Sequence, residues 1–255
     1  MELFKHTMGN GDPLVILHGL YGISDNWYTI GKALAKRHRV IIPDLRNHGR
    51  SPHAYIFNYL VMTDDLLELL DSEGLSSVNL LGHSMGGKLA MHLATGYPDL
   101  VNRLIVADIS PQTTSVRQHH LTLLQAMKSV DFDHFTDRKM IDSHLASAIP
   151  SPALRRFIMK SLVRVAPDRF AWRIHLEALE QNLDEIMEGI PDTQRFEKPT
   201  LFIRGADSDY ITEADFSLMR TIFPNHRLET INQASHWLHA DQPETFVQLV
   251  MEALR

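Results

Sequence analysis

Val78-Asn79-Leu80-Leu81-Gly82-His83-Ser84-Met85-Gly86-Gly87 is the stretch on which the reading of the fold turns. Its first four residues form a short apolar run of buried-strand type, and Met85–Tyr97 behind it has helical patterning. Between the two lies G-x-S-x-G, a turn so tight that the serine is held in a strained conformation. Residues two before and two after the serine must be small or the backbones collide, and Gly82 and Gly86 meet that condition. The turn lifts the Ser84 hydroxyl above the sheet, at the positive end of the following helix. The backbone N–H of Met85 then points to where an oxyanion would form.

Outward from this turn, apolar runs and helical stretches alternate. Leu14–Leu17, Arg39–Ile42, Leu104–Ala107, Leu201–Ile203 and Arg227–Ile231 read as further strands. Trp27–Lys36, Met62–Ser72, Glu213–Phe223 and Glu244–Leu254 read as the helices between them, and Gly74 and Pro98 stop two helices of the series. The pattern predicts an α/β fold with a mostly parallel sheet. Residues 111–196 differ: they offer helical patterns at His119–Lys128, Asp137–Ala148, Ala153–Val165 and Ile174–Ile190, punctuated by prolines, and no convincing strand. We expect 1–110 and 197–255 to form the core, with 111–196 an all-helical cap over the C-terminal strand ends, where such sheets bind ligands.

Composition narrows the chemistry. The 255 residues are 44% hydrophobic and 22% charged, which is globular. Lys+Arg 25 against Asp+Glu 31 gives a net charge of −6, without the basic footprint of a nucleic-acid binder. With no cysteine there are no disulfides, thiolate metal sites or cysteine nucleophiles. No metal site is expected: the pairs His119/His120 and His236/His239 lack H-E-x-x-H spacing or a third ligand. No signal peptide and no apolar run of membrane-spanning length are visible, so the expectation is a soluble, cytoplasmic protein without a membrane span.

A serine needs a base to take its proton and donors to hold the oxyanion. His18-Gly19-Leu20-Tyr21-Gly22 follows the first strong strand, and the N–H of Leu20 is the candidate second donor beside Met85; His18 reads as a loop brace. Of 15 histidines, His236 follows the last strand on a loop free to reach the turn, which makes it the candidate base; His239 falls at or near the final helix. For the acid, the usual pattern G-x-x-D-x-x-V/I after the penultimate strand fails by one residue. Gly205-Ala206-Asp207-Ser208-Asp209-Tyr210-Ile211 puts Ser208 at the acid position. Asp207 and Asp209 flank it, and Asp108, directly after the strand that follows the elbow helix, is placed ahead of both.

These residues resemble the α/β-hydrolase superfamily over essentially the whole chain. Pro43-Asp44-Leu45-Arg46-Asn47-His48-Gly49-Arg50-Ser51-Pro52 is similar to that family's D-x-R-G-x-G-x-S loop, with Asn47-His48-Gly49 departing from the commoner version. With Gly82–Lys88 and Ala107-Asp108-Ile109-Ser110-Pro111, it resembles the bacterial YbfF-type esterases. The subgroup resemblance implies that Asp108 takes the acid role while Ser208 occupies the usual acid position. It also implies cofactor-independent hydrolysis of a small-molecule acyl ester or thioester of short to medium chain. A carbon–carbon bond hydrolase or lyase, holding an acidic substrate on cap arginines, is the alternative enzyme. A catalytically silent ligand-binding hydrolase is the alternative outside catalysis. Leu123, Leu124, Met127, Phe157, Ile158, Met159 and Trp172 are cap candidates for an acyl site; Arg155, Arg156, Arg164, Arg169 and Arg173 are those for an anion.

Overall fold

The strands, in chain order, are β1 (Lys5–Met8), β2 (Asp12–Leu17), β3 (His38–Pro43), β4 (Val78–His83), β5 (Val101–Ala107), β6 (Leu162–Ala166), β7 (Arg169–Trp172), β8 (Thr200–Gly205) and β9 (His226–Ile231). They come from a computed structural model that describes residues 1–167 and 169–255. Seven strands make one sheet in the order β1-β3-β2-β4-β5-β8-β9, parallel throughout except for the antiparallel edge strand β1. From β2 the chain moves to one side as β3 and then to the other as β4. The connections therefore diverge between β2 and β4, the crevice where open α/β sheets bind ligands.

Alternation along the strands feeds both faces of this sheet. Leu14 and Ile16 of β2 pack on one side with Ile30 and Leu34 of α1 (Tyr28–Leu34) and with Phe246 and Val250 near the C-terminus. Val15 and Leu17 point to the other side, against α2 (Tyr59–Ser72) and α3 (Met85–Gly96). Asn58 caps α2 by accepting from the Val61 N–H at 3.1 Å.

Residues 111–196 run between β5 and β8. They carry α4 (Arg117–Lys128), α5 (Arg138–Leu145), α6 (Pro152–Ile158), α7 (Leu176–Gln181) and α8 (Leu183–Met187). The expectation of an all-helical segment is corrected here, because β6 and β7 form an antiparallel hairpin where one helix was expected through Val165. The chain leaves the helix at Ile158 and turns through Met159–Ser161. Val163 and Val165 are β-branched and favour the extended form. Arg164 pairs across the hairpin with Phe170, its guanidinium 4.5 Å from the ring centroid. The long helix expected over Ile174–Ile190 is broken at Asn182, whose side chain donates to the carbonyls of Ala178 and Tyr55, each at 2.8 Å. Lys88 of α3 ties both ends of the segment to the core. Its buried ammonium donates to the carbonyls of Gln112 and of Glu188, the latter at 2.7 Å. After β8 come α9 (Phe216–Ile222), α10 (Leu238–Asp241) and α11 (Pro243–Ala253).

Candidate active site

Ser84 sits between β4 and α3 with φ 53° and ψ −122°, a left-handed conformation that costs a non-glycine residue energy. The two flanking glycines make it possible: a Cβ on Gly82 would overlap the carbonyl of Gly86, and one on Gly86 would overlap the carbonyls of Leu17 and His18. The strained turn is thus wedged against the end of β2, and the serine faces the crevice.

Asp108 directly follows β5 with φ 51° and is fully buried. A buried carboxylate needs its oxygens satisfied, and three donors converge on it. The Gly205 N–H donates to Oδ1 at 2.9 Å, the Ser208 hydroxyl donates to Oδ2, and His236 Nδ1 donates to Oδ2 at 2.7 Å. The position that sequence counting assigned to the acid therefore holds a hydroxyl that braces the Asp108 carboxylate at the end of the neighbouring strand. Asp207 and Asp209 are exposed. His236 is held further by Tyr210, whose ring stacks on it at 3.8 Å and 17°, and its backbone carbonyl accepts from His83 Nε2 at 2.8 Å. Burial, ahead of the neighbouring imidazoles His236 and His239, keeps His83 neutral by pushing its pKa well below the usual range.

The His18–Gly22 loop is fixed from beneath. His18 is fully buried; its Nδ1 donates to the Gly19 carbonyl at 2.9 Å, and its Nε2 accepts from the Leu45 N–H at 2.9 Å. Both nitrogens are occupied in one tautomer, which agrees with a loop brace, and burial lowers the pKa. His48 does the same: Nδ1 donates to the Arg46 carbonyl at 2.9 Å, and Nε2 accepts from the Tyr21 N–H at 3.3 Å. Asp44 accepts from the N–H groups of Ser24 at 2.6 Å and Arg50 at 2.8 Å. Among the described residues the Leu20 N–H has no hydrogen-bond partner. Met85 is the first residue of α3, so its N–H has none within the helix. His239 is buried beside His83, stacked on Trp27 with centroids 4.1 Å apart.

Ser84, His236, Leu20 and Tyr210 open onto a cavity of about 380 Å³, within the range of small-molecule sites. Its cap wall includes Leu123, Leu154 and Phe157, with Trp237 opposite. Of the seven apolar cap candidates, only Leu123 and Phe157 reach it. Leu124, Met127, Ile158 and Met159 are buried in cap packing, and the Trp172 indole N–H donates to the Met127 carbonyl at 3.0 Å. None of the five candidate arginines lines the cavity. Arg155, for one, bonds Asp142 at 2.9 Å and the carbonyls of Ile149 and Pro150. Among the described residues no three histidine or acidic side chains gather as a metal site would require, and no helix is long and apolar enough to cross a membrane. Sequence reasoning did not single out Tyr210 or His83. Neither carries a local signal, since each acts on His236 across a turn of chain far from it in sequence.

Residues 12–243 match the family model described as the alpha/beta hydrolase fold. The chain belongs to the α/β hydrolase fold family. Mouse sn-1-specific diacylglycerol lipase ABHD11 is 40% identical over 247 residues, covering 94% of this chain and 80% of that protein. Esterase YbfF of Escherichia coli K12 is 31% identical over 247 residues, covering 96% and 94%. A solved structure titled a marine microorganism esterase is 43% identical, covers 98% of both chains and superposes with a TM-score of 0.95. Within the α/β hydrolase family, the chain falls among the esterase- and lipase-type hydrolases.

Proposed function

We propose that this α/β hydrolase is a serine carboxylesterase or thioesterase that cleaves short- to medium-chain acyl esters through an acyl-enzyme on Ser84. The observation that carries the reading is the bond between buried Asp108 and His236 Nδ1 at 2.7 Å, with His236 and the strained Ser84 lining one cavity. With Nδ1–H committed to Asp108, Nε2 is the basic nitrogen, which is what proton abstraction from Ser84 requires. The serine oxygen attacks the acyl carbonyl, and the oxyanion takes the N–H groups of Leu20 and Met85. His236, now an imidazolium beside a carboxylate, protonates the departing alcohol or thiol. Water then repeats the sequence on the acyl-enzyme. The apolar walls at Leu123, Leu154 and Phe157 suit an acyl chain. The alternative that holds an acidic substrate on cap arginines loses its basis, because those side chains lie elsewhere.

The test is turnover of a p-nitrophenyl acyl series and an acyl-CoA thioester series by the wild type and Ser84→Ala. Turnover by the wild type should fall by about 10⁴-fold or more in the variant, with the fold retained. Normal turnover by Ser84→Ala removes the assignment, and no turnover by either protein turns the reading to a silent ligand-binding member.

A further inference from the structure

The cap arginines named as candidates for an anion do not line the cavity at Ser84, but two of them line a second pocket. It has a volume of about 590 Å³, and α5 and α6 supply its walls, with Arg138, Lys139, Asp142, Arg155, Arg156 and Met159 among them. No residue lines both pockets. Helix α6 stands between the two. Ser151, Leu154 and Phe157, spaced three apart, line the cavity at Ser84, whereas Pro152, Arg155, Arg156 and Met159 line the second pocket.

Its charge is unusual for this chain. Four cationic side chains surround the pocket against one carboxylate, Asp142, on a protein whose net charge is −6. Arg155 Nε donates to Asp142 at 2.9 Å, so that pair is neutral and the other three cations share no carboxylate in the pocket. Like charges held together repel, and an anion relieves that cost. Two of the guanidinium groups are fixed in place. Arg138 donates to the carbonyls of Met159 at 2.6 Å and Leu162 at 3.1 Å, and Arg155 to those of Ile149 at 2.8 Å and Pro150 at 3.0 Å. A guanidinium has five N–H donors, so these bonds position each group without using it up. Lys139 and Arg156 are exposed, and among the described residues their side chains have no ion-pair partner.

We propose that this pocket on the far side of α6 is a binding site for a phosphomonoester. A phosphate dianion carries three acceptor oxygens and accepts paired bonds from arginine forks, which suits three uncompensated cations better than a single carboxylate does. The pocket is larger than a bare phosphate, and Pro152 and Met159 offer apolar surface to the rest of the ligand. The site shares no residue with the cavity at Ser84, so it stands apart from the esterase reading. The phosphate can belong to a small soluble molecule or to a lipid headgroup.

The experiment is calorimetric titration of the full chain with phenyl phosphate and phenyl sulfate in low salt, together with co-sedimentation on phosphatidylcholine vesicles with and without phosphatidic acid. The proteins are the wild type, the double variant Lys139→Gln with Arg156→Gln, and Ser84→Ala. The wild type should bind phenyl phosphate with a Kd of about 1 mM or tighter, and phenyl sulfate, a monoanion, more weakly. The double variant should lose about tenfold or more in affinity. Its two side chains are exposed and unpaired, so its Tm without ligand should match the wild type. Ser84→Ala should bind as the wild type does. Titration without sedimentation identifies a soluble phosphomonoester as the ligand, and sedimentation only with phosphatidic acid, lost in the double variant, identifies the lipid headgroup. No binding in either arm, or equal binding by the double variant, overturns the site. Equal affinity for phenyl sulfate overturns the phosphate assignment, and binding lost in Ser84→Ala overturns the location. None of these outcomes depends on turnover, so the esterase reading stands or falls separately.

Discussion

In the core five non-glycine residues adopt left-handed backbone, Tyr21, Asn47, Ser84, Asp108 and Gln233, with φ between 51° and 66°, and of these Tyr21 and Ser84 line the cavity. On the cap wall, residues 111–196, there is none among the described residues. The core wall is also densely hydrogen-bonded, with His18, His48, Asp44 and Asp108 each satisfied at two or more points. The cap wall meets the cavity mainly through Leu123, Leu154, Phe157 and the His119–His120 pair. Strain persists only where its surroundings over-determine it, and the bracing of the core wall does that. On the esterase reading proposed above, the contrast amounts to a division of labour, in which the core wall would hold reacting groups to fixed positions and the cap wall would choose what enters.

The sharpest way to break this comparison is at Asp108. Asp108→Asn keeps the shape but lets the amide offer an N–H to His236 Nδ1, favouring the wrong tautomer, and kcat should fall by about 10⁴-fold with KM little changed. A loss under tenfold would mean that His236 is oriented by something else, such as the Tyr210 stack. Ser208→Ala removes only one of the three donors on Asp108, and a fall of about three- to tenfold in kcat is expected. The strain itself is tested by Gly86→Ala. The added methyl overlaps the carbonyls at the end of β2, so stability should drop by about 3 kcal/mol or more, read as a fall in Tm of about 10 °C. A normal Tm in that variant would show that the turn has more room than its geometry allows.

The same contrast explains what could be read from the chain beforehand. Gly82, Ser84 and Gly86 are legible because their constraint is local: a tight turn admits few residues, and the neighbours along the chain announce the strand and the helix. His236 is legible by its place after the last strand. The choice between Asp108 and Asp207 was not closed, since it depends on how two parallel strand ends lie side by side. In the fold, Ser208 and Gly205 close on the Asp108 carboxylate from the next strand. Strand β1 escaped notice because Lys5-His6-Thr7-Met8 is a largely polar edge without an apolar run. The hairpin of β6 and β7 was hidden by Leu154, Phe157 and Ile158, whose helical spacing runs straight into the alternating Val163-Arg164-Val165. The bracing histidines carry no local mark at all, because their partners are backbone groups up to 27 residues away.

The buried histidines of the core give it a pH signature. His48 and His239 are pushed down to about 3 and His92 to about 4, in each case chiefly by burial. The unfolded chain protonates its histidines near pH 6.5 while the folded one resists, so the folded state binds fewer protons. Stability is therefore whole above pH 6.5 and falls as pH drops from there towards 3 to 4. Each such histidine contributes about 1 kcal/mol per pH unit in that window. Denaturant melts from pH 7.5 to 4.5 should record the decline, and His48→Gln should make it shallower. A flat profile would mean that these rings are hydrated enough to charge in place.

The smallest expected effect falls on the cap wall, and its form matters more than its size. Phe157 of α6 lines the cavity, its ring 6.0 Å from that of Trp237. Phe157→Ala should raise KM for an octanoyl ester by about three- to tenfold, in line with the loss of part of one aromatic contact. For an acetyl ester, which does not extend that far, both kcat and KM should stay within about twofold. Truncating the cap wall thus redistributes preference among substrates, whereas damage to the core wall lowers kcat on all of them alike. If Phe157→Ala instead lowers kcat equally on octanoyl and acetyl esters, the two walls are mechanically coupled. The bond from the Tyr21 hydroxyl to the His120 carbonyl is then the first contact to cut, because it joins the cap directly to the Leu20 loop.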